Sequence, residues 1–121
     1  MATTEATKLK KQAQEIIKRA EASGCASNYF FTTTFKRYQV QLEILDALED
    51  TINDEGMLVT KEYVKNRKNL YTNPAIKEYN RTTDSANKTV STLLRIIKDF
   101  EAEAEAEQED VLLKIINGED V

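Results

Sequence analysis

The side chains in this sequence best suited to chemistry are cations, and the chemistry they suit is the capture of phosphate. Lys61, Lys65, Arg67 and Lys68 crowd one short stretch, with Tyr63 and Tyr71 interleaved. Lysine and arginine hold phosphate oxygens, and aromatic rings stack on sugar or on splayed bases. The same tyrosines would equally serve as the small core of a turn. A second basic set, Lys8, Lys10, Lys11, Lys18 and Arg19, lies on an amphipathic stretch. It is either a second DNA contact or the solvated face of a packed helix. Neither set contains a recognisable base-reading motif.

Other chemistries are poorly supplied. The chain has no histidine, no tryptophan and a single cysteine. Ser–His and Cys–His catalysis and histidine-based metal sites are thereby excluded. Cys25, beside Gly24, reads as a small apolar thiol in a loop, and one cysteine forms no internal disulfide, which fits a reducing compartment. There is no phosphate-cradling glycine loop with Gly-Lys-Ser/Thr. The acids from Glu101 to Asp110 form a low-complexity run that reads as a solvated face rather than a metal site. The expectation is a protein that is not an enzyme and needs no cofactor or metal. With no apolar run of membrane-spanning length, it is expected to be soluble and intracellular, with no membrane partner.

The net charge of −4 conceals strong segregation. Residues 61–100 carry nine basic side chains against Glu62, Glu78, Asp84 and Asp99, whereas from Glu101 onward eight acids meet Lys114 alone. Residues 25–60 are acidic as well, with only Lys36 and Arg37 positive. An acidic total is therefore no argument against an anionic polymer as partner.

Positioning these charges falls to helices. Leu9, Ala13, Ile16, Ile17 and Ala20 mark a first amphipathic helix closed by Ser23-Gly24. Asn28 caps a second, which ends at Gly56, and Asn73-Pro74 opens a third with asparagine as cap and proline at the first helical position. Residues 57–72 have no helical period. Met57-Leu58-Val59-Thr60, Tyr63-Val64 and Leu70-Tyr71-Thr72 favour strands, and Asn66 suits a turn, so a short β-hairpin is expected at 57–72.

The second and third helices carry matching stripes. Phe31, Phe35, Tyr38, Leu42, Leu45, Leu48 and Ile52 recur at spacings of three and four, as do Phe100, Ile97, Leu93, Val90, Ala86, Thr83 and Tyr79. Taken in these orders, the paired residue numbers sum to 131 or 132, the signature of an antiparallel pair. The fold class expected is all-α: a long antiparallel helical hairpin, about 29–55 and 73–104, with an N-terminal helix and an acidic C-terminal tail. The division expected is a basic helix at 1–24, an oligomerisation core at 25–105 and the tail at 106–121.

From Gly56 to Phe100 the sequence GMLVTKEYVKNRKNLYTNPAIKEYNRTTDSANKTVSTLLRIIKDF resembles the small subunits of tailed-bacteriophage terminases. The pattern is a helix ending in glycine, a short extended segment, an Asn-Pro-Ala helix start, and a long helix with Leu-Leu near its end. The resemblance reaches back over the second helix. Many relatives follow the long helix with a Gly-Leu-Thr-Pro-like stop, which is here replaced by an acidic Glu-Ala run. The resemblance implies a non-enzymatic factor in the host bacterial cytoplasm. Family members form rings, recognise double-stranded viral DNA and hand it to the large terminase subunit, which carries the ATPase and nuclease.

Three more surfaces enter the expectation. Val40, Ile44 and Ala47 on the second helix, with Leu94 and Ile96 on the third, are apolar residues outside the hairpin seam. They point to a closed homo-oligomer larger than a dimer. Lys77, Arg81, Lys88, Arg95 and Lys98 recur opposite the seam. That rail reads as an ordinary solvated face, a track for DNA phosphate, or a partner for acids of a neighbouring copy. Val111, Leu112, Ile115 and Ile116 form an apolar face beyond the acidic run. This segment either folds back on the hairpin or is offered to the large subunit. The rival to the terminase reading is a helical protein–protein adaptor that binds no nucleic acid.

Overall fold

The computed structural model describes residues 5–64 and 67–118; of 5–7, 61–64 and 67–69 it describes the backbone alone. Three helices and two strands follow in the order α1 (Glu5–Ser23), α2 (Tyr29–Glu55), β1 (Leu58–Val64), β2 (Arg67–Thr72) and α3 (Pro74–Ile116). The fold is the expected all-α architecture with a small antiparallel β-hairpin at its turn. Local chemistry sets the boundaries. Gly24, at a φ of 82°, ends α1, and the Cys25 N–H returns 3.0 Å to the Ala20 carbonyl in a Schellman closure. The Asn28 Oδ1 then accepts from the N–H groups of Phe30 and Phe31, at 2.9 and 3.2 Å, and opens α2.

α2 and α3 pack along the two stripes read from the sequence. Phe31, Tyr38, Leu42 and Leu45 are buried from one side, and Ala86, Val90, Leu93 and Ile97 from the other. Phe35, Tyr79 and Phe100 pack at the margins of this core. Small Ala86 accommodates the large side chains opposite it, as close packing requires. At the far end of the seam the Tyr79 hydroxyl donates to Glu49 at 3.0 Å.

α1 lies against both long helices and supplies Leu9, Ala13, Ile16 and Ala20 to the same core. Two ion pairs at the margin of this contact bridge it to the long helices: Lys10 with Asp46 on α2, and Arg19 with Glu101 on α3. Buried Tyr38 adds a third link, its hydroxyl donating 3.2 Å to the Leu9 carbonyl. α3 runs unbroken for 43 residues, about 65 Å at 1.5 Å per residue. Glu101 is its last partly covered residue, and 102–118 are all exposed. The final stretch therefore leaves the bundle as a helical extension, at the end opposite the β-hairpin.

Candidate nucleic-acid interface

The β-hairpin rises from a clamp built on Asn73. This side chain is only 2% exposed. Its Oδ1 accepts from the Ala75 N–H at 3.0 Å, capping α3, while its Nδ2 donates to the Gly56 carbonyl at 2.9 Å and to Glu55 at 3.3 Å. The Asn73 N–H donates to the Met57 carbonyl at 2.8 Å. One residue thus ties the end of α2 to the start of α3 across the base of the strands. Gly56 makes the turn possible with a φ of 88°, a value disfavoured for other residues.

From that base β1 and β2 pair antiparallel, Leu58 opposite Thr72 and Val59 opposite Tyr71, with an irregularity between Glu62 and Val64. Lys61 is opposite Asn69, Lys68 opposite Glu62 and Arg67 opposite Val64. The backbone therefore sets Lys61, Arg67 and Lys68 within one narrow two-stranded ribbon. Lys65 and Asn66 lie outside the described residues, as do the side chains of Lys61, Tyr63, Arg67 and Lys68. Val59 and Tyr71 are half-buried, whereas Met57, Leu58 and Leu70 are exposed near the base.

The basic set on α1 divides by role. Lys10 and Arg19 are committed to the bundle through Asp46 and Glu101. The Arg19 fork is bidentate, at 3.0 and 3.1 Å. Its hydrogen bond pulls the Glu101 carboxyl below the ordinary carboxylate range and raises the Arg19 guanidinium in turn. Lys8, Lys11 and Lys18 remain on the exposed face, with Glu15 3.7 Å from Lys18. Nothing in the sequence foretold this division, because both partners are far away along the chain. On α3 the rail of Lys77, Arg81, Lys88, Arg95 and Lys98 is exposed throughout.

Val40 and Ile44 are 41% and 43% exposed on the outer face of α2, and Ala47 continues their line in the open. Leu94 and Ile96 are instead half-buried against the core. Val111, Leu112, Ile115 and Ile116 are exposed on the α3 extension, with Leu113 on its other side. Arg37 and Gln41 of α2 were not singled out in the sequence, and they share a groove with Lys88. Only the packing of α2 on α3 brings them together. Among the described residues there is no group of His, Cys, Asp and Glu placed to hold a metal, and no helix long and apolar enough to cross a membrane. No family model matches this chain, and no curated protein or solved structure is significantly similar to it.

Proposed function

We propose that this chain is a terminase small subunit: a non-catalytic, oligomeric factor that binds double-stranded viral DNA and recruits the large ATPase/nuclease subunit for genome packaging. The observation that carries the reading is the basic ribbon, Leu58–Val64 paired with Arg67–Thr72, at one end of the long α2–α3 pair. It falls within the stretch that carries the family resemblance. A two-stranded ribbon fits the major groove of B-form DNA, about 12 Å wide. A lone hairpin of two strands is marginal in water and gains order from a partner. Lys61, Lys65, Arg67 and Lys68 against Glu62 give this ribbon the charge to seat on phosphate.

Duplex binding measured across a salt series tests the reading. Wild type is expected to lose affinity steeply as salt rises, because each neutralised phosphate releases counterions. Replacing Lys65, Arg67 and Lys68 with glutamate is expected to weaken binding at least tenfold and flatten the salt dependence, with little change in sequence preference. Equal affinity in the triple variant would remove the ribbon from the interface. The second reading, an adaptor between proteins, draws on the exposed apolar face of the α3 extension. It predicts no duplex binding by wild type at any salt concentration.

A further inference from the structure

The α2–α3 pair has two sides, and α1 covers one of them. The other holds an open groove of about 290 Å³, formed by Thr34, Arg37 and Gln41 of α2 with Ser85 and Lys88 of α3. Thr89 and Thr92 complete the lining, and no carboxylate takes part. Among the described residues neither Arg37 nor Lys88 has an ion-pair partner. Two cations facing one groove without a counter-charge repel each other, and an anion between them relieves that repulsion.

Hydrogen-bonding capacity points the same way. The Thr89 and Thr92 hydroxyls donate to the carbonyls of Ser85 and Lys88, at 3.0 and 3.2 Å, so their protons are already used. The hydroxyls of Thr34 and Ser85 make no such bond among the described residues and remain able to donate. The Gln41 Oε1 is buried with no hydrogen-bond partner. The Gln41 Nε2 makes no hydrogen bond among the described residues and remains able to donate. The groove then offers a guanidinium, an ammonium, an amide and two hydroxyls, all donating.

We propose that this groove is a phosphate-binding site that seats a phosphodiester of the duplex backbone, with Arg37 and Lys88 as its cations and Gln41 as the neutral donor between them. The proposal rests on the nucleic-acid reading above and adds a second contact, on a different face from the ribbon. Arginine matches phosphate in a bidentate fork, and lysine adds a point charge. A linear polyanion fits better than an isolated ion because exposed Arg81 and Arg95 lie seven residues to either side of Lys88, Arg81 also standing 3.4 Å from Glu78. At 1.5 Å per residue those charges repeat about every 10 Å along α3.

The test uses the full-length, nitrogen-15-labelled protein with a mixed-sequence duplex of about two helical turns, and separately with inorganic phosphate. The R37Q/K88Q double variant is expected to bind duplex about tenfold more weakly at low salt and to lower the salt slope by one to two, since two cations are removed. Phosphate is expected to move the Gln41 side-chain amide resonances in wild type and leave them still in the double variant. Gln41→Glu, which puts a carboxylate in the groove, is expected to weaken duplex binding even if the double variant folds poorly. If wild type binds duplex and all these variants match it, the groove proposal is overturned while the nucleic-acid reading stands. If wild type binds no duplex, both are overturned, whether or not phosphate moves Gln41. If the Gln41 resonances respond to protein concentration instead of phosphate, a second copy covers the groove and the proposal is overturned.

Discussion

Tyr38 shows how much one side chain does in this bundle. It is fully buried, stacks edge-on against Phe35, and carries the only polar atom that links the centre of α2 to the α1 backbone among the described hydrogen bonds. Burial pushes its phenol up from the ordinary 10 to about 12. An acid whose folded value is raised stabilises the fold while it stays protonated. That contribution is complete below pH 10 and is lost as pH rises from 10 through about 12. The shift corresponds to about 3 kcal/mol. Tyr38→Phe is therefore expected to cost about 1 kcal/mol at neutral pH, the usual net value of a lost hydrogen bond. It is also expected to flatten the alkaline fall. Urea unfolding of both proteins at pH 8 and pH 11 checks this, and parallel losses in the two proteins would assign the fall to other groups.

At the scale of elements, the junctions and the extension behave differently. Asn73 caps α3 and also satisfies the end of α2, so Asn73→Ala removes a cap and leaves the Gly56 carbonyl short of a donor. A loss of about 2–3 kcal/mol is expected from the two effects together, read as a fall in thermal midpoint. Asn73→Asp keeps the capping oxygen but loses the donor and sets a carboxylate beside Glu55. It should recover only part of that loss. The α3 extension is the opposite case. Residues 102–118 are exposed, and among the described residues no core residue lies beyond Phe100. Deleting Glu109 to Val121 should leave the melting temperature within a degree or two while abolishing capture of the proposed partner, a large terminase subunit. A truncated protein that still captures that subunit with wild-type affinity would refute docking through the extension.

The whole molecule is polar in its charge, with a basic ribbon at one end and an acidic helix at the other. A closed homo-oligomer larger than a dimer is the assembly proposed for it, through the outer face of α2. Val40 and Ile44 lie there with about two-fifths of their surface open, on the side of α2 away from the core. α1 is engaged elsewhere and leaves that line uncovered. Sedimentation at micromolar concentration is expected to show the oligomer for wild type. V40E/I44E, which buries charge at such an interface, is expected to yield a folded monomer with unchanged helix content. A wild-type monomer at that concentration would refute the assembly.

Helix ends and the seam were legible in the sequence because they depend on short-range chemistry. Asn28, Gly56 and Asn73-Pro74 mark caps within a few residues of the groups they satisfy, and a three-four repeat needs no partner to be seen. The antiparallel pairing followed from matching two such repeats, and the strand-forming run at 57–72 announced the hairpin. Long-range choices were not legible. Lys10 and Asp46 are 36 residues apart, and Arg19 and Glu101 are 82 apart. No local pattern separates these structural cations from Lys8, Lys11 and Lys18. The same holds for Leu94 and Ile96, which read as surplus until packing half-covered them. Arg37 and Lys88 lie on different helices outside the apolar seam, 51 residues apart, and only the packing of α2 on α3 makes them neighbours. Composition and periodicity dictated which helices form and which two must pair. The tertiary structure decided which charges the bundle consumes and which it leaves for a partner, because that depends on where the third helix docks.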